Sequence, residues 1–294
     1  MQLINQSYEI LGTPKSVKEA WEFAAKAART CYQSEKVKLD ESEEDFCKRI
    51  LIKHKDDMEC NHMSPLEFGA LYFTVTIPSD NWCYRYDYPT EDTKFVLKYY
   101  DNKFSKVAYT IADNFDMTFY ISTNLRVIYE NGWQDDLQYV CEPTKEHKKF
   151  WIFKLTTCLH VYKDLTRHRT LSYDIESTRF CNYLKEKFGA SITFVKLPWV
   201  KPEEEEEVKK DLETIENIYF KWINKGWTAQ QAAEFLVQCV KGEVMFGGFE
   251  DNLKHMFRLR AEECSGPVHP LVAEIIKPLY RDYLKFIKKF NLNN

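Results

Sequence analysis

Several common sequence signals are missing from this chain of 294 residues. Its nine cysteines include no C-x-x-C pair and are odd in number, which argues against a zinc ribbon and a disulfide framework. No G-x-G-x-x-G or P-loop motif follows a predicted strand, which argues against a Rossmann or P-loop site. No apolar run is long enough to cross a bilayer, and no internal repeat is present. These absences indicate a globular protein with mainly structural, reduced cysteines.

The charge balance limits the partners that this sequence can attract. With 41 basic and 45 acidic residues, the net charge is −4, so no global attraction to nucleic acid polymers or anionic membranes is expected. The start, MQLINQSYEI, lacks a basic, apolar signal segment, and we therefore expect a cytoplasmic protein without membrane association. Any site for an anion must then be local. A hydrophobic content of 44% is enough for a sizeable core.

Hydrophobic periodicity predicts alternating strands and helices along the chain. Strand patterns occupy parts of 1–11, 70–77, 117–129, 150–157 and 188–195. Helical patterns occupy 16–29, 40–54, 203–225, 228–236, 251–260 and 270–290, with capping residues Ser16, Thr228 and Asp251 at three starts. We predict one α+β domain over 1–294, with a mixed, largely antiparallel sheet flanked by helices. The weakly periodic region at about 79–114 is interpreted as an insertion, partly helical.

One stretch, RHRTLSYDIESTRF at 167–180, carries an unusual combination of side chains. It follows a predicted short helix and holds three arginines, one histidine and four serine or threonine residues. Arginine with hydroxyl donors suits bidentate recognition of phosphate and carbonyl oxygens, which points to an anionic, oxygen-rich ligand. A surface helix end, where the macrodipole favours cations, would explain the arginines as well.

A second polar stretch, the turn NHMSPLE at 61–67, precedes the predicted strand 70–77. His62, Ser64 and Glu67 are placed so that they could form the rim of a ligand site. Ordinary turn chemistry explains these residue types about equally well. The residues alone therefore leave both readings open.

The stretch 167–180 closely resembles the signature of flavin-dependent thymidylate synthases. Six further segments resemble the same family and follow its order, so that the resemblance spans most of the chain. They are AARTCYQSE at 27–35, H-x-x-P-x-E at 62–67, NLRVIYENGWQDDLQY at 124–139, FCNYLKEKFG at 180–189, GWTAQQA at 226–232 and FRLR at 257–260. The chain is identified as a divergent member of this family.

The resemblance implies a methyltransferase of dTMP biosynthesis. Such an enzyme moves a methylene from methylenetetrahydrofolate to C5 of dUMP, reduced FAD supplies the hydride, and NADPH reduces the flavin. It further implies a homotetramer with sites shared between subunits, and no metal. Two alternatives stay open: an FAD-dependent C5 modification of another pyrimidine nucleotide, and a nucleotide- or flavin-binding paralogue without turnover.

The resemblance also implies roles for individual residues. Arg167 and Ser177 would be catalytic, Arg167 by stabilising charge on the uracil carbonyls, and Ser177 through ligand contact rather than as an alkoxide nucleophile. The residues implied to bind dUMP are Asp164, Arg167, Glu176, Ser177, Arg179 and Arg260. The residues implied to bind FAD are His62, Ser64, Glu67, Arg167, His168, Arg169 and Thr170.

The sequence also departs from the family pattern at several positions. Asp164 stands where the family usually has Gln or Glu, Phe68 where many members have histidine, and Val237 where proline is usual. Ala233 replaces an arginine that helps to bind the nucleotide phosphate in the family. Losing one charge-assisted hydrogen bond costs on the order of 1.5 to 3 kcal/mol, which binding could survive. These departures motivate the two alternatives.

Overall fold

The computed structural model describes residues 1–34, 40–53, 61–178, 181–185 and 189–293. The strands in these ranges are β1 (Gln2–Ile4), β2 (Ser7–Gly12), β3 (Ala70–Ile77), β4 (Lys106–Ile111), β5 (Met117–Asn124), β6 (Phe150–Cys158), β7 (Ser172–Ile175), β8 (Thr193–Val195) and β9 (Lys241–Phe249). The helices are α1 (Val17–Tyr32), α2 (Glu43–Leu51), α3 (Ser79–Cys83), α4 (Glu91–Tyr100), α5 (Leu125–Glu130), α6 (Leu159–Leu165), α7 (Glu205–Asn224), α8 (Ala229–Ala232), α9 (Glu250–Arg260) and α10 (Pro270–Asn293). Short 3₁₀ turns occupy Ser64–Phe68, Gln134–Tyr139, Pro202–Glu204 and Ala233–Phe235.

The strands form three sheets, and the helices pack around them. A four-stranded sheet has the order β2-β6-β9-β7, and a three-stranded sheet has the order β3-β5-β4. Every pairing in these two sheets is antiparallel, whereas β1 and β8 form a parallel pair. The predicted α+β class with a mixed, largely antiparallel sheet is therefore confirmed.

Local sequence explains where the first long helix lies. Ser16 accepts a hydrogen bond from the Glu19 amide at 3.2 Å, and Glu19 accepts one from the Lys15 amide at 3.0 Å. The Ser16 cap, with the second hydrogen bond to Glu19, starts α1 where the sequence predicts it. Trp21 and the alanines that follow at helical spacing are buried, and α1 packs against β7 and β9. The helix thereby covers the sheet that carries the signature.

Two predicted strands are divided differently in the structure. The strand expected over 117–129 ends at Asn124, and α5 follows immediately. The Asn124 side chain accepts a hydrogen bond from the Val127 amide at 3.0 Å, so a helix cap interrupts the apparent alternation. The strand expected within 1–11 is two strands, β1 and β2, which belong to different sheets.

The central strand β9 was not predicted at all. It pairs with both β6 and β7, and its residues Val244, Met245 and Phe246 are fully buried. A Cβ on Gly247 would lie only 2.6 Å from the Phe150 ring, so glycine permits the close approach of β6. The helix that follows, α9, was expected to be capped by Asp251, but it begins at Glu250 without a side-chain cap.

The segment 79–114 contains α3, α4 and β4, so the prediction that it is partly helical is confirmed. It also contains a strand, because β4 pairs with β5 from Lys106↔Ser122 to Ile111↔Met117. That the segment is an insertion into a single domain stays a prediction. Across the described ranges, no helix is long and apolar enough to span a membrane.

Candidate functional site

A cavity of about 620 Å³ lies where the two larger sheets meet the chain after α6. Asn124 at the end of β5 pairs with Ala70, and Phe150 at the start of β6 pairs with Phe249, so these strand ends form one rim. We call this the first cavity. Its lining residues are Ser64, Glu67, Lys103, Phe104, Lys106, Asn124, Arg126, Val127, Glu130, Phe150, Arg169, Thr170, Leu171, Ser172, Tyr173, Phe249 and Asn252.

The acidic side chains of the first cavity are held by one arginine. Arg126 forms ion pairs of 2.6 Å with Glu67 and 2.7 Å with Glu130. The other Glu67 oxygen accepts a hydrogen bond from the Ser172 hydroxyl at 2.5 Å. Glu67 therefore links the turn before β3, helix α5 and the start of β7. This network sets the distance between the three walls.

Three cations of the first cavity stand apart from this network. Arg169 follows α6, Lys103 follows α4, and Lys106 begins β4; all three are exposed. Within the described part of the chain, none of them pairs with a carboxylate. The cavity therefore presents uncommitted positive charge beside the aromatic rings of Phe150, Tyr173 and Phe249. Such a surface suits a ligand with a planar ring and an anionic group.

A buried carboxyl group lies behind one wall of the first cavity. The Ser64 hydroxyl donates to Oδ1 of Asp174 at 3.0 Å, and Asp174 is only 4% exposed. Burial raises the pKa of Asp174 to about 7, against the lowering effect of hydrogen bonds from Ser64 and Cys31. Burial, reinforced by the nearby Asp174 carboxylate, also raises the pKa of the Cys31 thiol. Asp174 thus changes its charge near neutral pH.

The first half of the signature belongs to a different cluster. Arg260 on α9 donates from Nε to Nε2 of His168 at 3.1 Å, and its guanidinium lies 3.7 Å from the Asp164 carboxylate. Arg167 lies 3.6 Å from the same carboxylate, but its side chain is 72% exposed. Three cationic or titratable groups thus surround one acid. Because Arg260 is largely covered and Arg167 is not, only Arg167 keeps most of its donors free for a ligand.

His168 is a neutral member of this cluster. Burial, then the charge of Arg260, lowers the pKa of His168 to about 4. The hydrogen bond from Arg260 requires a lone pair on Nε2, which a neutral imidazole provides. His168 was expected to face the flavin together with Arg169, but its ring packs within 6.1 Å of His255 and against Arg260. His168 thereby fixes the loop that carries Arg167 and Arg169 to helix α9.

A second cavity, of about 530 Å³, borders the other end of α6. His160 lies one helical turn before Asp164, and the centroid of its ring lies 3.7 Å from that of His269, with the two ring planes tilted by 32°. Apolar side chains complete most of the wall, among them Val237. The lining residues are His160, Leu197, Trp199, Leu236, Val237, Gln238, Cys239, His269 and Leu271. The segment from His160 to Tyr173 therefore reaches both cavities.

Glu176 and Ser177 line neither of the two cavities. Glu176 is 6% exposed and accepts from Lys241 at 3.1 Å, from the Glu243 amide at 3.1 Å and from the Tyr183 hydroxyl at 3.2 Å. Its two oxygens are thus engaged within the protein. The Ser177 amide donates to the Cys31 carbonyl at 3.0 Å, which ties the loop to α1. Arg179 lies outside the described residues.

The structure brings together only part of the predicted flavin set. Ser64, Glu67, Arg169 and Thr170 line the first cavity, whereas His62 is exposed and outside its lining. Of the predicted nucleotide set, Asp164, Arg167 and Arg260 are neighbours, and Glu176 is buried elsewhere. The roles of all these residues stay predictions.

Sequence reasoning missed several residues of the first cavity. Asn124 and Arg126 lie in the segment NLRVIYENGWQDDLQY, which carries part of the family resemblance, so that a signal for them existed. Asn252 lies in the first turn of α9, one to two turns before the FRLR segment, and its side chain donates to the Thr170 carbonyl at 3.1 Å. Lys103 and Lys106 lie in the weakly periodic segment, where no local pattern marks them.

Residues 142–278 match the sequence model of the family described as Thymidylate synthase complementing protein. The match covers slightly less than half of the chain. It contains the signature, β9 and α9, so the family recognised from the signature is confirmed over these residues. No sequence among curated proteins matches the chain.

Two solved structures show a weak overall likeness to the chain. One is a UMP/dUMP methylase PolB from Streptomyces cacaoi bound with 5-Br UMP, with 12% identity and a TM-score of 0.43 over 97% of this chain and 92% of that chain. The other is the same methylase bound with 5-Br dUMP, with 13% identity and a TM-score of 0.42 over 97% and 93%. The family assignment rests on residues 142–278.

Proposed function

We propose that this chain is a flavin-dependent thymidylate synthase, which methylates C5 of dUMP to give dTMP. The observation that carries the proposal is the family segment at 142–278, whose signature loop reaches the first cavity through Arg169 and Thr170 and the cluster of Asp164 through Arg167. One loop can thus contact two ligands. The proposed reaction requires this, because the hydride donor and the nucleotide must meet.

The first cavity fits FAD in its size and in its donors. Its volume lies within the range of about 300 to 1,000 Å³ that is usual for small-molecule sites. Phe150, Tyr173 and Phe249 would pack against the ring system, and Arg169 with Thr170 would hold an anionic portion. Ser64 and Glu67 would hydrogen-bond polar edges of the cofactor. The FAD-contacting roles implied for His62, Arg167 and His168 are not needed for this fit.

The chemistry divides between the cofactor and the chain. In the proposed reaction the methylene carbon of methylenetetrahydrofolate bonds to C5 of the uracil, the C5 proton and tetrahydrofolate leave, and reduced FAD supplies the hydride that completes the methyl group. The residues of the chain would bind and orient the nucleotide and the cofactor. NADPH is the proposed source of reducing equivalents.

We assign the nucleotide to the cluster around Asp164. The exposed guanidinium of Arg167 can donate to a uracil carbonyl, where negative charge grows as C5 becomes nucleophilic. Arg260 can hold the nucleotide once it releases part of its contact with Asp164. Ser177, with Arg179, completes the proposed contacts, and Glu176 holds the loop through Lys241 and Glu243. The homotetramer and the cytoplasmic location stay predictions.

Two measurements on the purified chain test this proposal. Titration with FAD, followed by dUMP, is expected to give a flavin spectrum that shifts when the nucleotide binds. Incubation with NADPH, methylenetetrahydrofolate and either dUMP or UMP is expected to give dTMP from dUMP. A methylated product from UMP alone would establish the alternative C5 modification. Bound flavin that folate and dUMP cannot reoxidise after reduction would indicate a paralogue without turnover.

A further inference from the structure

The segment 79–114 contributes two lysines and a phenylalanine to the first cavity, although it lies outside the family segment 142–278. We propose that Lys103 and Lys106 form a phosphate-binding wall for the ligand of this cavity. The inference rests on the proposed function, since it identifies residues that would bind the phosphate of the ligand proposed for this cavity. It adds a specificity element that lies outside the signature and outside the matched family segment.

The turn that carries these residues is fixed on both sides. Asn102 accepts a hydrogen bond from the Phe104 amide at 2.9 Å and another from the Ser105 amide through its carbonyl at 3.1 Å. Ser105 is buried and donates from its hydroxyl to Thr123 at 2.9 Å. Thr123 directly precedes Asn124, which lines the cavity. The lysines on either side of Ser105 are therefore held beside the cavity by β5.

The charges in the cavity favour an anion at this wall. Arg126 pairs with both Glu67 and Glu130, a trio of net charge −1, whereas no carboxylate of the described residues pairs with Lys103, Lys106 or Arg169. The charged side chains that line the cavity therefore sum to +2, with four cations against two carboxylates. A phosphate or pyrophosphate group supplies the missing negative charge with several acceptor oxygens.

The ring of Phe104 narrows the class of ligand. It is 56% exposed, and the Lys103 ammonium lies 4.8 Å from its centroid. An exposed ring beside two lysines suits a ligand in which a planar base or ring is joined to a phosphate. The wall therefore selects a phosphorylated flavin or nucleotide over its unphosphorylated counterpart.

The decisive experiment compares ligands that differ in phosphate content. Dissociation constants are measured for FAD, FMN and riboflavin, and for dUMP and deoxyuridine, with the wild-type chain and with the Lys103→Gln/Lys106→Gln variant. We expect the variant to bind FAD about tenfold more weakly, because two partly exposed charge-assisted contacts are lost, and riboflavin about equally well. The FAD affinity of the wild type should also fall more steeply with added salt than that of the Lys103→Gln/Lys106→Gln variant.

A matched control separates local contacts from net charge. The Lys94→Gln/Lys145→Gln variant removes the same charge from exposed lysines that do not line the cavity, and its FAD affinity should equal that of the wild type. A loss of affinity confined to dUMP would assign the wall to the nucleotide phosphate. Equal affinities of wild type and Lys103→Gln/Lys106→Gln for every phosphorylated ligand would overturn this inference alone. A wild-type chain that binds neither flavin nor dUMP would overturn the proposed function.

Discussion

The two sides of the signature loop use positive charge in opposite ways. On the side of Asp164, the arginines Arg167 and Arg260 share one carboxylate, and Arg260 also binds His168. On the side of the first cavity, Arg169 faces the lysines Lys103 and Lys106, and none of these three has a carboxylate partner among the described residues. On the first side, Arg260 is largely engaged by internal contacts and only Arg167 is exposed, whereas the three cations of the second side have no internal carboxylate partner among the described residues. We infer that a ligand must compete with Asp164 and His168 for Arg260, whereas a ligand of the second side displaces no carboxylate from Arg169, Lys103 or Lys106.

The largest expected effect concerns Asp174, behind the first cavity. Burial raises the pKa of its carboxyl from 3.8 to about 7, so the folded chain retains a proton that the unfolded chain has lost in this interval. Its contribution to stability therefore falls as pH rises from about 4 to about 7, and stays low above. The free energy of unfolding of an Asp174→Asn variant, relative to that of the wild type, should therefore increase with pH over this interval. The total increase from low pH should reach about 4 kcal/mol.

Urea unfolding at pH 5 and pH 8 checks this prediction. The gain of Asp174→Asn over the wild type should be larger at pH 8. The exposed Asp113→Asn substitution is the control and should change stability by less than about 0.5 kcal/mol at both values. A gain for Asp174→Asn that is the same at both pH values would show that the Asp174 carboxyl does not titrate in this range.

The next prediction tests the two-sided arrangement directly. Arg260→Ala should weaken dUMP binding by about tenfold to a hundredfold, because a charge-assisted contact is worth about 1.5 to 3 kcal/mol. Arg169→Ala should weaken FAD binding by a similar factor. Each variant should change the affinity for the other ligand by less than about threefold. Isothermal titration with both ligands measures these effects.

Arg258→Ala is the control for Arg260→Ala, since Arg258 lies on the same helix and is exposed. It should leave both affinities unchanged. If Arg169→Ala and Arg260→Ala each weakened the binding of both ligands equally, the two sides of the loop would form one site. The distinction between the two sides would then be wrong.

A smaller effect is expected from the contact between β6 and β9 at the rim of the first cavity. Gly247→Ala would place a methyl group 2.6 Å from the Phe150 ring and 3.0 Å from the Trp151 carbonyl. Overpacking of this kind costs about 1 to 3 kcal/mol. Thermal unfolding should show the loss, and adding Phe150→Leu should recover part of it. No recovery in the double variant would place the clash at the Trp151 carbonyl.

The smallest effect is expected for Arg126, which holds Glu67 and Glu130 in the first cavity. The Arg126 side chain is 38% exposed, so each ion pair contributes only about 0.2 to 1 kcal/mol. Arg126→Gln leaves two acids in the cavity and should weaken FAD binding by about twofold to fivefold. The variant Glu130→Gln removes one of these acids and should strengthen FAD binding. Equal effects of both variants would point to altered folding rather than altered charge.

The sequence by itself determined the family resemblance, matched over residues 142–278, and much of the secondary structure. The spacing of Arg167, His168, Arg169 and Ser177 is local, and so are the caps at Ser16 and Thr228, because each depends on residues within a few positions of one another. The strand over 70–77 was also predicted with its observed bounds, since its β-branched and aromatic content and its flanking turn are local too.

Only the tertiary structure decided which side of the loop each residue serves. His168 packs against Arg260, 92 positions away, and the Ser172 hydroxyl binds Glu67, 105 positions away. The cap at Asn124 and the pairing of Lys106 with Ser122 bring the 79–114 segment to the cavity, and no periodicity indicates that outcome. Contacts between distant segments depend on the packing of the sheets, and the sequence pattern records only which side chains are available for them.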